Sequence, residues 1–182
     1  MPNKINVRFG GFGGQGIVTS GVILGQAAVY DGKDVVQSQS YGQQARGGEC
    51  ISDVIISEET IIYPLVDEAD ILVIMSRPAL ETYIRTFKTG GCLILDADVV
   101  RGSPDRKDIE IIKIPATTTA AKLGRTIVAN MVMLGALVEK TKIVSEESLK
   151  RAIRDLVPPS MVDLNLRAAE EGKKLMRSKM PR

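Results

Sequence analysis

The 182-residue sequence contains no histidine, no tryptophan and only two cysteines. Without histidine, the chain has no imidazole base, no Ser-His or Cys-His nucleophile pair and no histidine-ligated metal. Cys50 and Cys92 are too few to hold an iron–sulfur cluster or a zinc ion through four thiolates. We therefore predict that the chain binds no metal. Two isolated thiols fit a reducing compartment, so we expect a cytoplasmic protein.

A strong net charge and a long apolar run are also absent. The 24 Lys and Arg residues nearly balance 22 Asp and Glu residues, and a net charge of +2 argues against a partner that is nucleic acid. The longest uncharged stretch, residues 9–30, is rich in glycine and contains polar side chains, so it predicts neither a membrane span nor a signal peptide. An apolar content of 44% predicts a folded domain.

Segments with strand and helix character alternate along the chain. We predict strands at residues 6–9, 35–40, 50–57, 71–75, 92–95 and 109–114, and helices at residues 17–30, 79–87, 115–124, 125–139, 145–156 and about 162–178. Residues 50–57 and 60–63 are expected to form a hairpin. This order predicts an α/β fold, with a mainly parallel Rossmann-like sheet, helices on both faces, an edge hairpin and a C-terminal helical appendage. The chain is expected to be one domain, with a core of about residues 1–142 and C-terminal helices in about residues 143–182.

A glycine-rich segment connects the first strand to the first helix. Its pattern is Gly11-x-Gly13-x-x-Gly16, in which glycines permit a tight turn and the N–H groups of the helix start can face an anion. NAD binding also requires an acidic residue near the end of the second strand, and residues 36–40 contain none. The alternative is a tight strand–helix connection that binds nothing.

A second glycine-rich segment contains one charge. Arg46 is the only charged residue between Asp34 and Glu49, and glycines lie on both sides of it. An arginine in such a loop can make two parallel hydrogen bonds to a phosphate or carboxylate. The alternative is an arginine that satisfies local carbonyls or a carboxylate of another subunit.

Three weaker patterns leave alternatives open. Asp96 and Asp98 favour turn formation over a metal site. Residues 117–119 are all threonine, and one of them is expected to cap a helix, although a polar pocket is the alternative. The nearly uncharged helices at 17–30 and 125–139 predict burial on more than one face, in a subunit interface or as covered core helices. We therefore expect the isolated chain to self-associate.

Together, the two glycine loops form a more specific pattern than either alone. Gly13-Gly14-Gln15-Gly16, the segment YGQQARGG at 41–48 and the segment SDVIIS at 52–57 resemble the gamma subunit of 2-oxoacid:ferredoxin oxidoreductases. The resemblance extends over most of the chain, and residues 41–48 are most similar to the 2-oxoglutarate, or branched-chain oxoacid, type. The small subunit of indolepyruvate ferredoxin oxidoreductase is the nearest alternative. A free-standing dinucleotide-binding protein and a purely structural assembly subunit are the alternatives from other classes.

The resemblance implies a reaction that this chain does not perform alone. The family oxidatively decarboxylates a 2-oxoacid on thiamine diphosphate, passes electrons through iron–sulfur clusters to ferredoxin and transfers the acyl group to coenzyme A. The chain lacks both the cysteine sets for clusters and the Gly-Asp-Gly and Asn pattern that binds magnesium and thiamine diphosphate. It is therefore expected to hold no catalytic residue, with these cofactors in alpha, beta and ferredoxin-like delta subunits.

The resemblance also implies that this subunit lines the entrance for coenzyme A and substrate. The residues expected there are Gly11, Gly13, Gly14, Gln15, Gly16, Tyr41, Gly42, Arg46, Gly47, Gly48 and Thr117.

Overall fold

The computed structural model describes residues 4–41 and 48–180. The strands are β1 (Lys4–Phe12), β2 (Asp34–Tyr41), β3 (Glu49–Ser57), β4 (Ile71–Ile74), β5 (Cys92–Asp96) and β6 (Glu110–Ile114). The helices are α1 (Ile17–Tyr30), α2 (Arg77–Tyr83), α3 (Ala116–Lys122), α4 (Ala129–Thr141), α5 (Glu146–Leu156) and α6 (Val162–Arg177). Short 3-10 turns lie at Ile84–Thr86, Thr126–Val128 and Pro159–Met161. In these residues no helix is both long and apolar enough to cross a bilayer.

Within the described ranges, the strands form one six-stranded sheet in the order β2-β3-β1-β4-β5-β6. Strands β1, β4, β5 and β6 are parallel neighbours, and β3 runs antiparallel to both β1 and β2. The prediction of a mainly parallel α/β sheet is confirmed. Because β3 separates β1 from β2, the first βαβ unit differs from a dinucleotide-binding unit, in which the first two strands are adjacent.

Apolar side chains on both faces explain why β4 lies inside the sheet. Ile71 and Val73 belong to the core beneath α1, α4 and α6, whereas Leu72 and Ile74 belong to a second core beneath α2. A continuous apolar run is typical of a strand covered on both sides. Helices on both faces, as predicted, supply that cover.

The edge hairpin is present, but the predicted pairing of its strands is wrong. Strand β3 pairs with β2, from Asp34 opposite Ser57 to Tyr41 opposite Cys50, and residues 60–63 form no strand. The physical reason is that β1 and β2 occupy both edges of β3, which leaves no edge for a third strand. The backbone N–H of Ile61 instead donates to Oδ2 of Asp34 at 3.0 Å.

The C-terminal helices follow the sheet as predicted and pack directly on the α1 and α4 layer. Helix α6 lies along α4 and α5 lies along α1. Two glycines permit the α4–α6 contact, since a Cβ on Gly135 would lie 1.9 Å from the Ala169 carbonyl oxygen and one on Gly172 would lie 1.9 Å from that of Val132. The apolar character of α4 is thus explained within one chain, as a covered core helix. Helix α1 leaves Val22 and Val29 exposed.

We predict that Gly172→Ala lowers the free energy of unfolding by roughly 1–3 kcal/mol or more. This loss occurs although alanine favours a helix over glycine by about 1 kcal/mol. The added methyl group would overlap the backbone of α4, which cannot rotate away. Arg167→Ala, on the exposed side of the same helix, is the control, with an expected change within about 0.5 kcal/mol. Urea unfolding measures both. An unchanged midpoint for Gly172→Ala would show that the helices do not pack this closely.

Candidate functional site

Two glycines with positive φ shape the turn between β1 and α1. Gly14 has φ 97° and Gly16 has φ 75°, and Gly16 is the N-cap residue of α1. These values lie in the left-handed region, where a side chain would be strained. Gly11 lies within β1, beneath the turn, where a Cβ would be 2.5 Å from Oε1 of Gln15. The backbone conformation and close packing of this turn therefore require these glycines, whether or not the turn binds a ligand.

The side chain of Gln15 fixes this turn from inside. Its Oε1 accepts the backbone N–H of Phe12 at 2.6 Å, and its Nε2 donates to the carbonyl oxygen of Met75 at 2.9 Å. The amide thus joins the carboxyl end of β1 to the residue that follows β4. Gln15 was expected to face a ligand, and the structure shows that its amide is used within the chain.

Asn130, which we did not include among the expected site residues, supports the same turn from α4. It is buried, and its Nδ2 donates to the carbonyl oxygen of Gly16 at 3.1 Å. A Cβ on Gly16 would lie 2.3 Å from that nitrogen. The signal in the sequence was a single amide in an otherwise apolar run, which implies a buried hydrogen-bond partner.

The larger of two clefts beside the glycine turn has a volume of about 420 Å³. Its floor is the turn and the first residues of α1, and its far wall comes from the segment between α5 and α6. It is lined by Phe12, Gly13, Gly14, Gly16, Ile17, Val18, Thr19, Tyr41, Cys50, Ile127, Val128, Asn130, Val157, Pro158, Met161 and Asn165. Among these residues no side chain is charged. The first N–H groups of a helix have no carbonyl partner within it, so the polar contacts available here are backbone N–H, hydroxyl and amide groups.

The smaller cleft, of about 250 Å³, lies on the other side of Gly14. Its lining residues are Gly14, Gln15, Met75, Val99, Thr117, Thr126, Ile127 and Ala129. Several of these residues follow the carboxyl ends of parallel strands, next to the point where the chain moves from one side of β1 to the other. Ligands of open α/β sheets bind at such a point.

Asp96 and Asp98 cap helix α3, and the prediction that a threonine caps it is wrong. The fully buried Asp96 accepts the Ala116 N–H at 3.2 Å and the Thr117 hydroxyl at 2.5 Å. Asp98 accepts the Thr118 N–H at 2.6 Å. Carboxylates neutralise the positive end of a helix better than hydroxyls do. In the described part of the chain, no group of three or more potential metal-ligating side chains occurs.

The two glycine loops are joined by a backbone hydrogen bond. The N–H of Gly13 donates to the carbonyl oxygen of Gly48 at 3.0 Å, and Tyr41, at the end of β2, lines the larger cleft. Gly42, Arg46 and Gly47 lie outside the described residues. The structure therefore brings the described ends of the second loop, Tyr41 and Gly48, close to the first loop.

Both cysteine thiols lie where burial disfavours the thiolate form. Burial raises the pKa of the Cys92 thiol to about 11 and also raises that of Cys50. Protonated thiols are poor metal ligands and poor nucleophiles. The sequence has only these two cysteines, so it cannot supply the four thiolates that hold an iron–sulfur cluster.

The sheet, the paired glycine loops and the two clefts define a class of protein. The chain belongs to the pyruvate ferredoxin/flavodoxin oxidoreductase family, whose model matches residues 6–175. Among curated relatives, the 2-oxoglutarate synthase subunit KorC of Methanothermobacter marburgensis is 47% identical over 177 residues, which cover 93% of this chain and 95% of the relative. The KorC subunit of Methanocaldococcus jannaschii is 48% identical over 91% of this chain and 90% of its own length.

Solved structures have the same fold. The gamma subunit of a keto/oxoacid ferredoxin oxidoreductase from Geobacter sulfurreducens matches with a TM-score of 0.85 and 39% identity, over 96% of this chain and 99% of that one. The 2-oxoglutarate:ferredoxin oxidoreductase of Magnetococcus marinus, solved with 2-oxoglutarate, coenzyme A and succinyl-CoA bound, matches with a TM-score of 0.89 and 26% identity. This chain covers 98% of its own length there but only 32% of that protein. The same domain thus occurs as a separate chain and as part of a longer one.

We predict that Gln15→Ala lowers the free energy of unfolding by roughly 1–3 kcal/mol, because two internal hydrogen bonds are lost. Gln26→Ala, in the middle of α1, is the matched control and should change stability by less than about 0.5 kcal/mol. Equal urea midpoints for the two variants would show that Gln15 does not fix the turn.

Gln15→Glu extends this test with a dependence on pH. A carboxylate facing the Met75 carbonyl oxygen cannot donate, whereas the protonated acid can, so the folded state should raise the pKa of this introduced group. A raised carboxyl pKa means that stability is lost as pH rises above the unfolded value of about 4.3. The variant should therefore approach wild-type stability at lower pH.

Proposed function

We propose that this chain is the gamma subunit of a 2-oxoglutarate:ferredoxin oxidoreductase. The observation that carries the proposal is identity of 47–48% with 2-oxoglutarate synthase subunits over nearly the full length of both chains. The Ketoisovalerate oxidoreductase subunit VorA of Methanothermobacter thermautotrophicus is only 33% identical, and the match covers 36% of that protein. The substrate named for the more similar relatives is thus the one we assign.

The role we assign to this chain is to line the entrance for coenzyme A and substrate. The glycine turn offers backbone N–H groups next to an uncharged cleft of about 420 Å³, a combination suited to the amide-rich and apolar parts of a long cosubstrate. The described residues bring no three potential metal-ligating side chains together, and the sequence has only two cysteines, which supports a place for thiamine diphosphate, magnesium and iron–sulfur clusters outside this chain. We assign them to the companion alpha, beta and delta subunits, together with electron transfer to ferredoxin.

Arg46 is the residue we assign to the charged part of coenzyme A. The larger cleft contains no cation in its described lining, and Arg46 is the only basic residue between Lys33 and Arg77 in the sequence. Its loop begins after Tyr41 and ends at Gly48, which is bonded to the glycine turn. A guanidinium there could hold a phosphate through two hydrogen bonds.

Reconstitution tests the proposed function. We expect the chain, coexpressed with companion alpha, beta and delta subunits, to give a complex that reduces ferredoxin in the presence of both 2-oxoglutarate and coenzyme A. The chain alone should be inactive and show no visible cluster absorbance. Pyruvate, 2-oxoisovalerate and indolepyruvate serve as competing substrates. A complex that prefers indolepyruvate, or turnover by this chain alone, would contradict the proposal.

Variants of Arg46 in that complex test the assigned site. We expect Arg46→Ala and Arg46→Lys to raise the KM for coenzyme A about ten- to a hundredfold, because one charge-assisted contact contributes roughly 1.5–3 kcal/mol and lysine lacks the planar fork. The KM for 2-oxoglutarate should stay unchanged. Arg154→Ala, exposed on α5, is the control. Normal kinetics in both Arg46 variants would exclude Arg46 from the site, and failure to assemble would indicate a subunit contact instead.

A further inference from the structure

The connection between β3 and β4 exposes a run of apolar side chains. Residues 62–65 are Ile, Tyr, Pro and Leu, here called the apolar tip. Ile62 is 94% exposed, Tyr63 51% and Leu65 56%. Isolated exposed apolar residues are ordinary, but a consecutive run costs solubility and is retained where it serves binding.

The apolar tip is held at both ends. On one side, the Ile61 N–H donates to Asp34 at 3.0 Å. On the other, the carbonyl oxygen of Val66 accepts from Nη2 of Arg8 at 2.8 Å, and the Val66 side chain is buried in the core beneath α2. Arg8 is itself fixed by two hydrogen bonds of 2.7 Å to Asp53. Binding through a segment that is already fixed loses little conformational entropy.

Acidic residues surround the apolar tip. Residues 58–70 contain five acidic side chains and no Lys or Arg, in a chain whose net charge is +2. Asp70 is paired with Lys88 at 2.5 Å. The other four, here called the acidic collar, are all exposed: Glu58, Glu59, Asp67 and Glu68. Basic side chains border the collar, and one of them, Lys4, lies opposite Ser57. The pKa of Lys88 is raised by its hydrogen bond to Asp70 and also by the charge of Glu68. The pKa of Arg8 is raised by its hydrogen bonds to Asp53 and also by the charge of Asp67.

The connection that contains the tip lies at the amino ends of β1 and β4, and the glycine turn lies at the opposite, carboxyl ends of these strands. This connection follows the last residue of β3 and precedes the first residue of β4, and the Asn6 side chain donates to the carbonyl oxygen of Glu68 at 3.3 Å. The glycine turn lies beyond the carboxyl ends of β1 and β4. A protein bound at the tip would leave both clefts open.

We propose that the apolar tip and acidic collar dock into an apolar pocket rimmed by Lys and Arg on a companion subunit of the complex. This assignment rests on the proposed function. Charge selects this occupant over a second copy of the chain, because a symmetric contact would place two acidic collars against each other. The complementary rim would offset the desolvation of the collar.

The test coexpresses the tagged chain with the companion subunits and measures bound subunit per tagged chain by native mass spectrometry. Ile62→Ser combined with Leu65→Ser should reduce assembly at least tenfold. Leu156→Ser, 41% exposed at the end of α5, is the matched control and should assemble normally. Thermal unfolding of the isolated variants should match wild type, which separates lost docking from lost folding.

Reversing the charge of two residues of the acidic collar tests the proposal independently of the apolar tip. Asp67→Lys with Glu68→Lys should weaken assembly at least tenfold at low salt, and Asp105→Lys, exposed in another loop, should not. Normal assembly of the tip variants would overturn this proposal and leave the proposed function standing. Tip variants that abolish only self-association would assign the surface to a second copy and also overturn it. If the wild-type chain does not assemble, the proposed function itself fails, and this occupant with it.

Discussion

The side-chain amide of Gln15 sets the position of the glycine turn, and both clefts depend on that position. By bonding to Phe12 and Met75, the amide joins the ends of two neighbouring strands that are distant in sequence. Asn130 holds the far side of the same turn from α4. Since these amides are used internally, the turn presents its backbone to the clefts. This arrangement supports our proposal that the turn contacts a cosubstrate through its backbone and performs no chemistry.

The placement of β3 distinguishes the topology of this fold from that of dinucleotide-binding folds. An antiparallel strand between β1 and β2 moves the end of β2 away from the position that contacts a ribose. The same strand brings the second glycine loop to the first, through the Gly13–Gly48 hydrogen bond. One topological change thus removes the dinucleotide arrangement and joins the two glycine loops at the carboxyl ends of the strands.

The pattern of apolar residues predicted most of the helices and strands, because burial of a segment is recorded in its own residues. The continuous apolar run Ile71–Ile74, for example, is a strand buried on both faces. Contacts between residues far apart in the sequence were harder to predict. The partner of β3 depended on which strands occupied its edges, and the N-terminal caps of α3 came from Asp96 and Asp98, about twenty residues earlier. Local spacing contains no information on either. The glycine loop was predicted to be part of a site. That the Gln15 amide bonds within the chain could not be predicted, because its acceptor, the Met75 carbonyl oxygen, comes next to it only in the folded sheet.

The structure of the reconstituted complex with coenzyme A bound is the most direct test of the central claim. We expect residues 12–19 and the loop after Tyr41 to face coenzyme A, with the density for Arg46 next to a phosphate. The two clefts should open towards the subunit that holds thiamine diphosphate. A glycine turn that packs against another subunit, with coenzyme A bound elsewhere, would contradict this account.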